Sequence, residues 1–136
     1  MTGQYSHVNG ALDLYCRLPS EKHYLLKEMK QGGYATAVIG KWHLTDAPGY
    51  VDYFAILPGQ GKYMNPIIQV SEGGKKQNVI FDRTCAFNVN VVESQGHSSD
   101  VLTDISLNWL DEKRNEAYQT YMFVNAKYQH ILMVAL

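Results

Sequence analysis

The chain has 136 residues, 46% of them hydrophobic and 18% charged, a balance that suits one globular domain or a piece of a larger one and excludes a disordered chain. Twelve Lys and Arg against thirteen Asp and Glu leave a formal charge of −1, so there is no bulk electrostatic case for nucleic acid or an anionic membrane, and any anion site has to be local. Two cysteines, Cys16 and Cys85, are too few for a disulfide scaffold and carry no metal-ligand spacing, so two buried thiols are expected ahead of one disulfide.

In chain order, residues 1–19 are turn-rich, broken by Gly3, Gly10 and Pro19, and the stretch MTGQYSHVNG lacks both the basic region and the apolar stretch of a signal peptide. No apolar run is long enough for a spanning helix, and the compartment is not readable. Ser20 has the chemistry of an N-cap for SEKHYLLKEMKQGG, with Glu21 in the first turn; Leu25, Leu26 and Met29 form an apolar stripe, and Gly32 and Gly33 end the helix. The run YATAVIG then predicts a strand covered on both faces, and helix, Gly-Gly, buried strand is the rhythm of an α/β sheet with parallel strands.

VDYFAIL (51–57) predicts a second strand, followed by a loop, PGQGKYMNP, that Gly59, Gly61 and Asn65 shape. IIQV and NVIFD predict a hairpin around EGGKK, and FNVNVV (87–92) a further strand. GHSSD opens a helix that Ser98, Ser99 or Asp100 can cap, with Val101, Leu102, Ile105, Leu107, Trp109 and Leu110 as its apolar residues and His97 in a structural place near the cap. TYMFVNA (120–126) is a strong strand candidate, followed by KYQH and the apolar tail ILMVAL.

In an open α/β sheet, ligands bind outside the carboxyl ends of the strands. YATAVIG runs into Lys41 and His43, and TYMFVNA runs into Lys127 and His130. If those strands are parallel neighbours, two Lys/His pairs meet at one edge and make an anion site; otherwise Lys41 and His43 are a solvated strand end. Trp42 is expected to pack beside this edge, with its N–H finding one partner.

The segments TGQYSHVNG, LPSEKHYLLKEMKQGGYATAVIGKWHL, DYFAILPGQGKYMNP and DVLTDISLNWL, in this order, resemble the sulfatase family, and within it the enzymes acting on sulfated sugars. The resemblance covers about residues 1–130, and GYATAVIGKWHL matches a family signature almost position for position. It implies an alkaline-phosphatase-like α/β domain with a mixed central sheet and flanking helices. It also implies hydrolysis of sulfate esters, on a sulfated small molecule or glycan, by a formylglycine made in a C/S-x-P-x-R pattern, with calcium holding the sulfate. By the same resemblance, Lys41 bridges sulfate and formylglycine, and His43 hydrogen-bonds the nucleophile's hydroxyl. His130 contacts the sulfate and helps the leaving group depart, although Gln129 stands where the family motif has Pro.

Fixed cationic donors lower the barrier for a transition state that spreads negative charge over sulfate oxygens. Lys provides a point charge with three donors, and His an acid or base near neutral pH.

The chain departs from the family pattern in three places. CRLPS (16–20) puts two residues between Cys and Pro and lacks the following Arg, which leaves Cys16 a structural thiol. The Asp-Asp and Asp-Asn or Asp-His segments that hold the family's calcium have no match, so no metal site is expected on this chain; a zinc site from His7, His43 and His130 lacks a short-spaced ligand pair. ILMVAL follows His130 where the family continues with polar residues. Residues 1–136 are therefore expected to form part of a sulfatase catalytic domain, without its nucleophile and downstream metal-ligand segments and inactive alone. The alternatives are a non-catalytic remnant that binds anions and a phosphate- or phosphonate-ester hydrolase on the same fold. His7 and Asn9 are further residues that border the site in the family's order. The family is often periplasmic, secreted or lysosomal.

Overall fold

The computed structural model describes residues 2–13, 22–44, 46–72, 90–115, 120–125 and 132–135. Among them are six strands, β1 (Ala35–Trp42), β2 (Tyr53–Pro58), β3 (Ile67–Glu72), β4 (Asn90–Glu93), β5 (Thr120–Asn125) and β6 (Leu132–Ala135), and three helices, α1 (Ser6–Asn9), α2 (Leu25–Gln31) and α3 (Ser98–Asn115). The strands form one mixed sheet in the order β4-β3-β2-β1-β5-β6. β1 lies parallel to both of its neighbours, β2 and β5, while β3, β4 and β6 extend the sheet antiparallel.

The apolar residues of β1, Ala35 and residues 37–40, broken only by the buried Thr36, suit a central strand with both faces covered. One face packs Ala37, Ile39, Ala55, Leu57 and Ile68 against Leu102 and Trp109 of α3. The other packs Val38, Trp42, Phe54 and Ile56 against Leu26 of α2 and Val51. Such an α/β arrangement, a mixed sheet with helices on its faces, is the expected fold class.

Several local details differ from the sequence reading. α2 begins at Leu25, with Tyr24 as an N-cap in extended conformation (φ −120°, ψ 134°), rather than just after Ser20; Ser20 and Glu21 lie outside the described residues. Lys22 is held to the Val8 carbonyl at 3.0 Å, and Tyr24 stacks on Tyr50 at 6.1 Å, tertiary contacts that hold this stretch in place of another helical turn. The Gly-Gly stop does form. Gly33, at φ +86°, donates to Lys30 O and Tyr34 donates to Met29 O, which together satisfy the last carbonyls of the helix.

β3 pairs with β4, and the hairpin expected with 78–82 lies outside the described residues, as do Cys16 and Cys85. The tail after 130 contributes β6, antiparallel to β5. Leu107 is 56% exposed, because residues 102, 106 and 109 set the buried face and Leu107 falls on the opposite side. Ser106 takes its place inside, donating to Leu102 O at 2.7 Å.

At the amino ends of β1 and β2 the Asp52 carboxylate accepts from Thr36 N (2.9 Å), Thr36 Oγ1 (3.0 Å) and Lys30 Nζ (2.7 Å). Partial burial by itself would raise its pKa, but the Lys30 and Thr36 hydrogen bonds outweigh that and hold it below the ordinary value of 3.8. A depressed carboxylate stabilises the fold fully above its unfolded pKa and loses that contribution as pH falls through the folded one. Replacing Asp52 by Ala is expected to cost about 1–3 kcal/mol near neutral pH, since it removes the acceptor of the Thr36 backbone N–H and breaks the Lys30 pair. The difference should shrink as pH falls below the ordinary value of 3.8 and through the lowered folded one. Urea melts of both proteins across that range check it.

Candidate functional site

The parallel pairing of β1 with β2 and β5 sends three strand ends to one edge of the sheet, with Lys41 opposite Leu57, Trp42 opposite Pro58 and Gly40 opposite Asn125. Sequence spacing alone left the neighbour relation of β1 and β5 open, and the structure supplies it. Lys41 and His43 stand at this edge, Lys41 half-buried and His43 exposed just past the strand. The segment after Asn125 starts from the same edge, but Lys127 and His130 lie outside the described residues.

Strand alternation puts Lys41 on the Ala37/Ile39 face and Trp42 on the opposite one. Trp42 is 6% exposed and its Nε1 donates to Asp46 O at 2.7 Å, so it packs beneath the edge and folds the following turn back on itself. The Lys41 ammonium donates to Gln60 Oε1 at 2.7 Å. Gln60 lies in the turn that leaves β2, and its role had no signal in the linear pattern beyond its place between two glycines after an adjacent strand.

That turn is narrowly specified. Gly59 and Gly61 have φ of +59° and +61°, and Gly59 N donates to Trp42 O at 3.1 Å, tying the turn to the end of β1. A Cβ on Gly61 would stand 3.0 Å from Leu57 Cβ, so both the backbone conformation and the space call for glycine there.

The rest of the loop is fastened to the start of α3. Asn65, at φ +49°, donates through its backbone N to Gly96 O (2.8 Å) and accepts from Gly96 N on Oδ1 (3.0 Å), and Ser98 N donates to Tyr63 O (2.7 Å). Met64 and His97 form an antiparallel bridge, and the Tyr63 and His97 rings stack at 6.1 Å. Gly59, Gly61 and Asn65 therefore shape the loop, as expected.

The N-cap of α3 is His97 itself rather than Ser98, Ser99 or Asp100. Its carbonyl accepts from Val101 N and its Nδ1 from Ser99 N at 3.2 Å, while Ser98 is buried under the loop. His7 is exposed and stacks on Tyr5, and Asn9 bonds within the N-terminal turn, to Thr2, Gln4 and Ala11.

Calcium takes six to eight oxygen ligands, mostly carboxylates and carbonyls. The edge at Lys41 presents an ammonium, an imidazole and an amide, and among the described residues no group of three His, Cys, Asp or Glu could hold a metal ion. Those residues do not fit calcium, and they suit an anion. No described helix is long and apolar enough to cross a membrane.

No protein-family model matches the chain. A curated N-acetylglucosamine-6-O-sulfatase from Bacteroides thetaiotaomicron is 34% identical over 116 residues, 83% of this chain and 18% of that protein. A protein solved in complex with its substrate D-glucosamine-2-N,6-O-disulfate superposes with a TM-score of 0.72 at 28% identity, over 96% of this chain and 23% of its own. The chain thus spans about a fifth of the length of each relative.

Proposed function

Because the chain belongs to the sulfatase family, we propose that it carries the sulfate-facing edge of a sulfuric ester hydrolase acting on a sulfated glycan, with 6-O-sulfated glucosamine as the substrate unit. The observation that carries this reading is the position of Lys41 and His43 at the carboxyl edge of β1, between two parallel neighbours, where α/β sheets bind ligands. Support for the substrate class comes from the two relatives, whose names and ligands concern 6-O-sulfated glucosamine.

In this reading Lys41 holds the sulfate oxygens and stabilises the charge that grows on them as the S–O bond breaks. His43 donates or accepts a proton beside the nucleophile, as an imidazole can near neutral pH. His130 assists the leaving group from the segment that follows β5. The formylglycine of the family supplies an aldehyde hydrate as nucleophile. Neither C-x-P-x-R nor S-x-P-x-R occurs within these 136 residues, and the described residues do not fit the family's calcium.

Two results are expected. The chain binds D-glucosamine 6-sulfate saturably and D-glucosamine far more weakly in calorimetry, and by itself it does not turn over an aryl sulfate in the presence of calcium. Equal binding of the two sugars contradicts the sulfate site. Turnover above that of a Lys41→Ala control contradicts the division of the active site.

A further inference from the structure

We propose that Gln60 is a positioning residue for Lys41: its amide oxygen holds the ammonium at the sheet edge while adding no negative charge to compete with a bound sulfate. The proposal rests on the reading of that edge as a sulfate site and goes beyond it in assigning a residue outside the GKWH stretch.

A lysine ammonium rides on a flexible four-carbon stem, so its use as a fixed charge depends on what restrains it. One such restraint here is the 2.7 Å hydrogen bond to Gln60 Oε1. Gln60 is itself held by its neighbours. Gly59 N is bonded to Trp42 O, one residue beyond Lys41, and Gly61 N to Pro58 O, both at 3.1 Å. The left-handed φ of both glycines and the close approach of Gly61 to Leu57 leave that turn little room to relax. The Gln60 side chain therefore starts from a backbone pinned to β1 and ends on the Lys41 ammonium of the same strand.

The choice of acceptor matters. A carboxylate at this position would grip the ammonium more tightly, but as an ion pair it would cancel the positive potential an anion needs. A neutral amide restrains Lys41 without adding a negative charge of its own.

The test is a double-mutant cycle on the whole chain, reading the dissociation constant of inorganic sulfate from NMR shifts at constant ionic strength, with thermal melts as a control on folding. Gln60→Glu, isosteric but charged, is expected to weaken sulfate binding about tenfold, and Gln60→Leu, of similar bulk but without the acceptor, about threefold. Gln60→Leu should not weaken it further on a Lys41→Ala background, an outcome that a merely structural role would not give, whereas the charge of Gln60→Glu still repels sulfate there. Equal losses from Gln60→Leu on both backgrounds overturn the inference, as does unchanged binding in Gln60→Glu alongside a loss in Lys41→Ala. Undiminished sulfate binding in Lys41→Ala, or no saturable binding by the unsubstituted chain, overturns the sulfate-site reading and this inference with it.

Discussion

Replacing Lys41 by Ala is expected to lower the affinity of the chain for sulfate and for D-glucosamine 6-sulfate at least about tenfold, roughly 1.4 kcal/mol, while leaving the melting temperature nearly unchanged. The two effects separate because of where Lys41 stands. It is the penultimate residue of β1, half-buried, with its ammonium on Gln60 rather than in the core. Truncating it removes a restrained charge from the place where the strand ends meet, but takes no apolar side chain out of either packed face. The chain carries a net charge of −1, so diffuse attraction has little to substitute for that charge. The loss should shrink in high salt, since the edge is open to solvent. Calorimetry of both proteins with each ligand, beside a thermal melt, reads both quantities.

Trp109→Ala should have the opposite signature, a large loss of stability, about 3–5 kcal/mol. Trp109 is 3% exposed and stacks on Tyr53 at 6.2 Å, joining the middle of α3 to β2. Together with Leu102 it supplies the fully buried contact of α3 with Ala37, Ile39, Ala55, Leu57 and Ile68. Val101, Ile105 and Leu110 pack against the same cluster but are only partly buried, and the space an indole leaves is too large for them to close fully. A loss of that size is a large part of the total stability of most domains, so a drop in melting temperature of roughly 10–20 °C is expected. Differential scanning calorimetry checks it, and a drop of only a few degrees would mean that α3 is held mainly by something other than this contact.

The central strand and the family were legible because their signals are local. YATAVIG is apolar over its buried length apart from Thr36, Gly32 and Gly33 sit where the helix must stop, and GKWHL follows directly in the chain. What escaped the linear reading depends on distant partners. Nothing in SEKHYLLKEM shows that Lys22 bonds Val8 and Tyr24 stacks on Tyr50, contacts that accompany the late start of α2 at Leu25. Ser98, Ser99 and Asp100 are all good caps by type, but Ser98 is drawn under the Tyr63 carbonyl, and that leaves the cap to His97. Gln60 was invisible for the same reason, since its meaning lies in a hydrogen bond to a residue 19 positions earlier, on a neighbouring strand.

The site was legible only in half. Lys41 and His43 could be read from the strand end and the family likeness, and the register of β1 with β5 could not, because pairing between strands about 80 residues apart leaves no mark in either one alone.

The central claim, that the carboxyl edge of β1 binds the sulfate of a sulfated sugar, is tested most directly by a 1H–15N NMR titration of the chain with D-glucosamine 6-sulfate. Saturable shifts concentrated at Lys41, Trp42, His43 and Gln60 are expected, absent with D-glucosamine and largely lost in Lys41→Ala. Shifts centred elsewhere in the sheet, or the same shifts with the unsulfated sugar, would contradict it.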